Sequence, residues 1–322
     1  MIPRSLETVQ LRLAAPHDDE RIVEIANCRE GHSVPLNVVR YRAECAEESR
    51  EHPSERYVAM KDGQLVGFGT FHWAWWTGDP GIYAATVFVD PAVKRQGIGT
   101  HLFHRLRERL HLRGAYRLTD WVWENASSGR SFAAKLGLQE TGLIVQDYLL
   151  KISEAEVSAA FPLKERFSRD GLRIAPLSEL PREDPAFLRA LQRLWTDAGE
   201  EPASPEEREN AFDAWQQQTM QAAGLSPETH WIALEGELPV GTTFLRQLSA
   251  DAYENDYTGV AISHCGRGIA TALKLHAIRW AQQQGVTWFL TNSEINNHAM
   301  IAIHLRFGYR PGGRKVEVAG NL

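Results

Sequence analysis

The sequence predicts an α/β protein built from two similar domains, each with a mixed sheet. The first observation is the stretch from Thr86 to Thr100, where a short apolar run leads into a basic loop with two glycines and then a helical pattern. The second is a similar stretch from Tyr257 to Thr271. The third is the alternation of strand and helix patterns around both stretches, which is typical of α/β domains.

Four landmarks recur in the same order at nearly one spacing, which indicates an internal duplication. We therefore expect a first domain over residues 1–153, a linker over 154–170 and a second domain over 171–322, that is, a pseudo-dimer within one chain. The offset is 161 for the first pair, 174 for the second and 171 for the last two: Arg12 and Arg173, Gly67 and Gly241, Gly97 and Gly268, Gly137 and Gly308.

The first domain is predicted to begin with a strand and a helix that has acidic residues in its first turn, where the helix dipole favours them. Asp62-Gly63 between two apolar runs predicts a hairpin. A central strand, the glycine loop and its helix follow, and then strand, short helix and strand. The predicted elements are Val9–Ala14, a helix from Pro16, a polar helix over 37–50, Tyr57–Met60, Leu65–Phe71, Ala85–Val89, Arg117–Trp123, Ser131–Leu136 and Glu140–Leu150.

The second domain is predicted to repeat this order with a larger helical region before its hairpin. Ser204 before Pro205 is a good N-cap for the second helix of that region. The predicted elements are a strand from Leu172, helices within 184–224, Trp231–Leu234, Val240–Leu245, the second strand–loop–helix, Thr287–Thr291, Asn297–Phe307 and Arg314–Val318.

Composition narrows the class of protein. The 322 residues carry a net charge of −6 without a long basic run, which argues against nucleic acid as the main ligand. The three cysteines have no metal or disulfide spacing, so a metal site is not expected. We find neither a signal peptide nor an apolar run that could span a bilayer, and we expect a cytoplasmic protein with no membrane partner.

The two glycine loops favour an anionic ligand. Each leaves backbone N–H groups unpaired at a helix N-terminus, where the dipole adds positive potential, and this suits a phosphate or pyrophosphate. A Rossmann dinucleotide site is a poor alternative. The stretch from Gly97 to Leu102 lacks the third glycine of that fingerprint, and its strand is central rather than first.

With these loops, Lys135-Leu136-Gly137-Leu138 and Arg306-Phe307-Gly308-Tyr309 complete a pattern in each half that resembles the GCN5-related N-acetyltransferase (GNAT) family. The duplicated layout resembles tandem acetyltransferases of the mycothiol synthase type. Both loops depart from the family's Gln or Arg at the first position, which is Lys94 in one and Cys265 in the other.

The resemblance implies acetyl transfer from acetyl-CoA to the primary amine of a small molecule. Pyrophosphate would lie on the loop amides and pantetheine beside the central strand, where a backbone N–H could hold the thioester oxygen. The cofactor-binding residues expected are Val87, Phe88, Val89, Arg95, Gln96, Gly97, Ile98, Gly99, Thr100, Thr258, Gly259, Val260, Gly266, Arg267, Gly268, Ile269, Ala270, Thr271 and Asn297.

The same resemblance points to the second half for catalysis. Family members often carry a tyrosine that protonates the leaving thiolate four residues before the glycine of the terminal motif, and that position is Ala133 in the first half and His304 in the second. His304 has the intrinsic pKa range of a general acid. Glu254 and Asp256 alternate with Thr258 and so should share a face, which makes either carboxylate a candidate base.

Several alternatives remain open. His304 is also consistent with a surface or capping histidine, the two carboxylates with a solvated strand end, and Asn297 with a helix N-cap. Trp73, Trp75 and Trp76 line either a core or a pocket. Catalysis in the first half, and a sensor that binds acyl-CoA without turnover, are the competing functions, and the chain is expected to be a monomer or a homodimer.

Overall fold

A computed structural model describes residues 9–28, 36–38, 41–42, 44–45, 54–74, 77, 79–158, 171–199, 212 and 225–322. Predictions that concern the remaining residues lie outside the described part. They include Trp75, Trp76, most of the predicted helix over 37–50, residues 159–170 of the expected linker, and the proline-rich break at Pro205. No helix in the described ranges is long and apolar enough to cross a membrane.

The chain forms two compact units that exchange their last strands. Unit 1 consists of residues 1–146 and 313–322, and unit 2 of residues 147–312. These units differ from the predicted bounds of 1–153 and 171–322, with a linker over 154–170, at both terminal strands. The long strand that closes the first half crosses into unit 2 after Gln146, and the last strand of the chain returns to unit 1 at Gly313. A similar strand pattern in both halves lets each terminal strand fill the same place in the other half's sheet.

Unit 1 has the sheet order β1-β2-β3-β4-β5-β12. Neighbouring strands are antiparallel except β4 and β5, which are parallel. Its elements are β1 (Val9–Leu13), α1 (Asp19–Asn27), β2 (Glu55–Lys61), β3 (Gln64–Trp73), β4 (Ile82–Val89), α2 (Ile98–His111), β5 (Arg117–Trp123), α3 (Ser127–Lys135), the first part of β6 (Gln139–Lys151) and most of β12 (Arg310–Asn321).

Unit 2 repeats this arrangement in the order β7-β8-β9-β10-β11-β6. Here β10 and β11 are the parallel pair, and β7 to β10 are antiparallel. Its elements are the end of β6, β7 (Leu172–Pro176), α4 (Pro185–Gly199), β8 (Leu225–Glu235), β9 (Leu238–Gln247), β10 (Ala252–Val260), α5 (Ile269–Gln284), β11 (Trp288–Glu294) and α6 (His298–Arg306). The α/β class predicted from the sequence is confirmed, and within the described ranges the elements follow the predicted order.

Each sheet is covered by helices on both faces. In unit 1, α1 buries Ile22 against Phe68, and α2 buries Leu102 and Leu106 with Phe71 on the other face. In unit 2, α4 and α5 form the corresponding two layers. Burying each such side chain contributes about 1.5–3 kcal/mol, so these two layers fix where the glycine loops begin.

The repeated Val-Gly landmark in β3 and β9 has a packing reason. A Cβ on Gly241 would lie 2.6 Å from Cγ2 of Ile269, the first residue of α5, and one on Gly67 would lie 2.8 Å from the carbonyl oxygen of Phe88. Only glycine allows so close an approach. In unit 2 the landmark therefore sets the N-terminus of α5, and with it the glycine loop, against the sheet.

Candidate functional site

In unit 1 the glycine loop joins β4 to α2. Asp90 ends the strand and its Oδ1 accepts from the N–H of Ala92 at 2.8 Å. Arg95 and Gly97 both have left-handed backbone, with φ of 65° and 84°. This geometry turns the chain sharply into the helix. Lys61 on β2 donates through Nζ to Oε1 of Gln96 at 2.7 Å, so a third cation borders this loop.

In unit 2 the glycine loop joins β10 to α5 with the same geometry. Gly266 and Gly268 have φ of 75° and 85°. The cation of this loop is already paired, because Arg267 Nη2 lies 3.0 Å from Oε1 of Glu235. His264 Nε2 lies 3.1 Å from the other oxygen of that carboxylate. His264 and Arg267 together hold the pKa of Glu235 below its usual range.

Both loops present a run of unpaired backbone donors. Within residues 94–100 no backbone N–H donates to a backbone oxygen of the described chain, and the first that does is His101, to Gly97 at 3.0 Å. In unit 2 the same holds for residues 266–271, and Ala272 donates to Gly268 at 3.0 Å. Amides directed from a left-handed turn and a helix N-terminus form a set that fits a diphosphate.

Beside each loop, the parallel strands separate. In unit 1, β4 pairs with β5 only at Ile82 and Tyr83, although β4 continues to Val89. In unit 2, β10 pairs with β11 only from Ala252 to Glu254 and continues to Val260. The residues after these pairs leave a gap next to the loop, at the place where the resemblance put pantetheine. Val87–Val89 and Thr258–Val260 lie on the edge of that gap.

A side-chain bridge crosses each gap. In unit 1, Thr86 Oγ1 donates to Oδ2 of Asp120 on β5 at 2.6 Å. In unit 2, Thr291 Oγ1 on β11 donates to the backbone oxygen of Asn255 at 2.9 Å. Asp120 and Thr291 occupy equivalent positions at the 171-residue offset. A polar bridge at this point is thus common to both units, although the residues that form it differ.

The central strands of the two units, β4 and β10, differ in one feature. The register of β10 against β9 shifts between Asn255 and Tyr257, which is a β-bulge with Asp256 as the extra residue. The pairing of β3 with β4 in unit 1 is continuous from Gly67 to Trp73. A bulge leaves its extra residue without a ladder partner and bends the strand, and bulges are common beside active sites.

The bulge overturns one prediction about faces. Asn255 faces α5, because its Oδ1 accepts from the buried Nζ of Lys274. Thr258 Oγ1 lies 2.7 Å from Thr243 Oγ1, to which the side chain of Asn255 also donates, so Thr258 is on that same face. Glu254, adjacent to Asn255, points to the opposite face. The inserted residue has broken the alternation that was to place Glu254 and Thr258 together.

The face of β10 that lies toward α4 combines charge with aromatic rings. Arg246, which is paired with Glu254 in register, donates from Nε and Nη2 to Oδ2 of Asp256 at 3.0 and 2.7 Å. Tyr257 stacks on Trp195 of α4 with ring centroids 4.0 Å apart. The carboxylates proposed as bases therefore lie on one face, beside an aromatic wall that the sequence did not single out.

His304 lies on the opposite face of the sheet, in the core of unit 2. Its side chain is fully buried, and neither ring nitrogen has a hydrogen-bond partner in the described structure. Tyr148 and Tyr309 flank the ring at 4.9 and 5.3 Å between centroids. Burial, with a smaller effect from the charge of Lys274, lowers the pKa of His304 to about 2. This lies below the intrinsic range of histidine, because burial removes the water that would stabilise the imidazolium, and the catalytic role of His304 stays a prediction.

The remaining candidate residues have a structural role in this structure, and any further role in ligand binding stays a prediction. Asn297 is the N-cap of α6, because its Oδ1 accepts from the N–H of Met300 at 3.1 Å, and its contact with pantetheine stays a prediction. Ala133, at the position equivalent to His304, is buried in the core of unit 1. Trp73 packs against the same core and donates from Nε1 to the backbone oxygen of Asp79, which favours the core interpretation for this residue.

Sequence comparison assigns both halves of the chain to the same family. A sequence model of the acetyltransferase (GNAT) family matches residues 20–138 and 188–309, more than half of the chain. The chain belongs to the GNAT family. Acetyl-CoA-dependent acyl transfer is the general chemistry of this family. No curated protein matches the chain significantly.

Two solved GNAT structures align with nearly the whole chain. A GCN5-related N-acetyltransferase from Sphaerobacter thermophilus is 17% identical, with a TM-score of 0.74 over 100% of this chain and 97% of the other. A tandem GNAT protein from the clavulanic acid biosynthesis pathway is 18% identical, with a TM-score of 0.74 over 97% of this chain and 98% of the other. At this identity the likeness concerns the fold, and it confirms two GNAT domains in one chain.

Four features of this GNAT protein were missed from the sequence: the residues Asn255, Lys274 and Asp120, and the bulge of β10. A lysine within the apolar run Ile269 to Ala281 was the one available signal, because such a run predicts a buried helix. The bulge has no sequence signature of its own here, since the glycine that often marks one is absent from Asn255–Tyr257.

Proposed function

We propose that the chain is an acetyl-CoA-dependent N-acetyltransferase that acts on the primary amine of a small molecule, with its active site in unit 2. The observation that carries the choice of unit 2 is the bulge of β10, which lies beside both the glycine loop and the gap toward β11. It bends the strand at Asp256, a candidate base, next to the gap in which the thioester would lie.

Acetyl-CoA, when bound, would supply an activated thioester for attack by the amine. The amides of residues 266–271 would hold its diphosphate, with Arg267 adding charge from its pair with Glu235. In unit 1 the amides of residues 94–100 form an equivalent cradle, bordered by Lys94, Arg95 and Lys61. We therefore propose that unit 1 is a second cofactor-binding copy.

The face of β10 toward α4 supports an amine acceptor. Glu254 and Asp256 provide negative charge that attracts an ammonium group, and Asp256 is a suitable acceptor for its proton, directly or through water. The rings of Trp195 and Tyr257 provide an apolar flank for the rest of the acceptor. His304 lies on the face of the sheet opposite to α4. If it donates to the CoA thiolate, it would do so as a neutral ring and not as an imidazolium.

The test is acetyl-CoA-dependent release of free thiol against a panel of primary amines, with acetylated product identified by mass spectrometry. Asp256→Asn should lower kcat by roughly 10²–10⁴-fold, because it removes a general base. Arg246→Gln, which removes the partner and leaves the carboxylate, is the matched control and should be affected less. CoA binding without turnover of any amine would favour the sensor alternative, and an unchanged kcat in Asp256→Asn would remove Asp256 from the mechanism.

A further inference from the structure

A buried lysine of unit 2 has no part in the function proposed above. Lys274 lies on α5, six residues after Gly268, and its side chain is only 2% exposed. Its Nζ donates to Oδ1 of Asn255 and lies 5.8 Å from the centre of the Tyr309 ring. Burying an ammonium group is costly, so a lysine in this place needs a reason.

Asn255, the partner of Lys274, is the residue that holds the bulge together. Its Nδ2 donates to the backbone oxygens of Phe244 at 3.0 Å and Tyr257 at 3.3 Å, and to Oγ1 of Thr243 at 2.9 Å. Its own backbone oxygen accepts from Thr291 across the gap. One side chain thus spans both sides of the register shift, and its backbone ties β10 to β11.

The same pair connects two parts of the proposed site. Lys274 belongs to the helix whose first turn forms the glycine loop, and Asn255 is the first residue of the bulge. An amide oxygen that accepts from an ammonium has a fixed orientation, which directs Nδ2 toward the bulge carbonyls. The equivalent residue of unit 1 is Phe103, which lies in an apolar core next to an unbulged strand. The buried lysine and the bulge are therefore both present in unit 2, and unit 1 has neither of them at the equivalent positions.

From these contacts we propose that Lys274 is a positioning residue for acyl transfer: through Asn255 it fixes the bulge of β10, and with it the position of the Asp256 carboxylate, the proposed base. The inference rests on the proposed function of unit 2. The role is indirect, since Lys274 touches Asn255 and does not itself reach the gap in the contacts described. A general base must lie within hydrogen-bond reach of the proton that it takes, so loss of this support should reduce the rate while substrate binding persists.

The experiment compares three variants of the full chain. Lys274→Met removes the ammonium and keeps an unbranched apolar chain in the core. Asn255→Asp keeps the shape and removes the Nδ2 donor. Phe103→Met places the same new residue at the equivalent position of unit 1 and is the matched control. For each we would measure kcat, KM for acetyl-CoA, thermal unfolding, and hydrogen–deuterium exchange of the peptide that covers residues 254–258.

We expect kcat to fall by roughly 10²-fold in Lys274→Met and Asn255→Asp, with KM for acetyl-CoA and the unfolding temperature of Lys274→Met nearly unchanged. Exchange in residues 254–258 should become faster in both variants and stay as in the wild type in Phe103→Met. A merely structural role predicts a lower unfolding temperature and no selective loss of kcat, and that result would overturn the proposal.

The exchange readout needs no acceptor and no turnover. If no amine is acetylated by the wild type, the proposed function fails, whereas faster exchange at residues 254–258 in Lys274→Met would still support the role of Lys274 in fixing the bulge. Unchanged exchange in both unit 2 variants would overturn that role whatever the activity.

Discussion

Thr291 and Asn255 are joined across the gap between β10 and β11, where Oγ1 of the threonine donates to the backbone oxygen of the asparagine at 2.9 Å. This bond lies just past the last residue pair of the parallel ladder, Glu254 with Leu290. Beyond it the two strands have no paired residues. The bond therefore sets how far the gap closes on the side away from the glycine loop.

Replacing Thr291 by valine keeps the shape of the side chain and removes its donor. The carbonyl oxygen of Asn255 would then be buried without this partner, and we expect the free energy of unfolding to fall by about 1–3 kcal/mol. Urea denaturation measures the change. Asp120→Asn alters the equivalent bridge of unit 1 and is the matched control. Turnover measured in both variants would show whether it depends on the gap of unit 2 alone. If Thr291→Val were as stable as the wild type, the hydrogen bond would make no contribution to the free energy of unfolding.

The two glycine loops differ in how much of their positive charge is available. Glu235 pairs with both His264 and Arg267 in unit 2, whereas the unit 1 loop carries Lys94 and Arg95. Glu235→Gln should tighten CoA binding to unit 2 by a few-fold, because it releases Arg267 from an exposed ion pair, and should steepen its salt dependence. Calorimetry in a Gly97→Asp background would isolate unit 2.

The control for this prediction is Glu237→Gln. Glu237 lies two residues away and pairs with Arg173 at 3.3 Å, distant in sequence from the loop. It changes the net charge of the chain by the same amount. Equal tightening in the two variants would mean that overall charge, and not release of Arg267, determines the affinity.

His304 makes the folded chain sensitive to acid. Its pKa is lowered from 6.5 to about 2, so below pH 6.5 the unfolded chain binds a proton that the folded chain does not. The stability of the folded state should therefore decline as the pH falls from 6.5 toward 2, at up to about 1.4 kcal/mol per pH unit. His304→Phe, which retains a ring between Tyr148 and Tyr309, should lessen this decline.

The exposed His298 of the same helix gives the comparison, because His298→Ala removes a histidine without disturbing the core. Chemical denaturation at pH 7, 5.5 and 4 would give the three curves. The burial account of His304 is refuted if His304→Phe and the wild type lose stability in parallel over this range.

The sequence predicted the repeated motifs and those features that depend only on residues close together in the chain. Asp62-Gly63, for example, forms the expected hairpin turn with φ of 51° and 77°. Gly97 and Gly268 begin their helices where the pattern placed them, since a left-handed turn followed by apolar spacing leaves few alternatives. The α/β class followed from these local signals.

What the sequence did not reveal depends on contacts between distant residues. The exchange of terminal strands was missed, because residues 147–151 fit either sheet and their position in unit 2 is decided by which neighbour they pair with. The bulge was missed because an extra residue in a strand is visible only against its partner strand. The burial of His304 was missed, since its position among Tyr148, Tyr309 and Lys274 brings together residues far apart in the sequence.

The most direct test of the account is the turnover of two matched variants, Gly97→Asp and Gly268→Asp. Each adds a side chain and a negative charge at a left-handed glycine that faces the proposed diphosphate, one in each unit. We expect Gly268→Asp to lose acetyl transfer and Gly97→Asp to retain most of the wild-type kcat, while calorimetry shows that each variant has lost one CoA site. Loss of turnover in Gly97→Asp with full activity in Gly268→Asp would contradict the account and place the active site in unit 1.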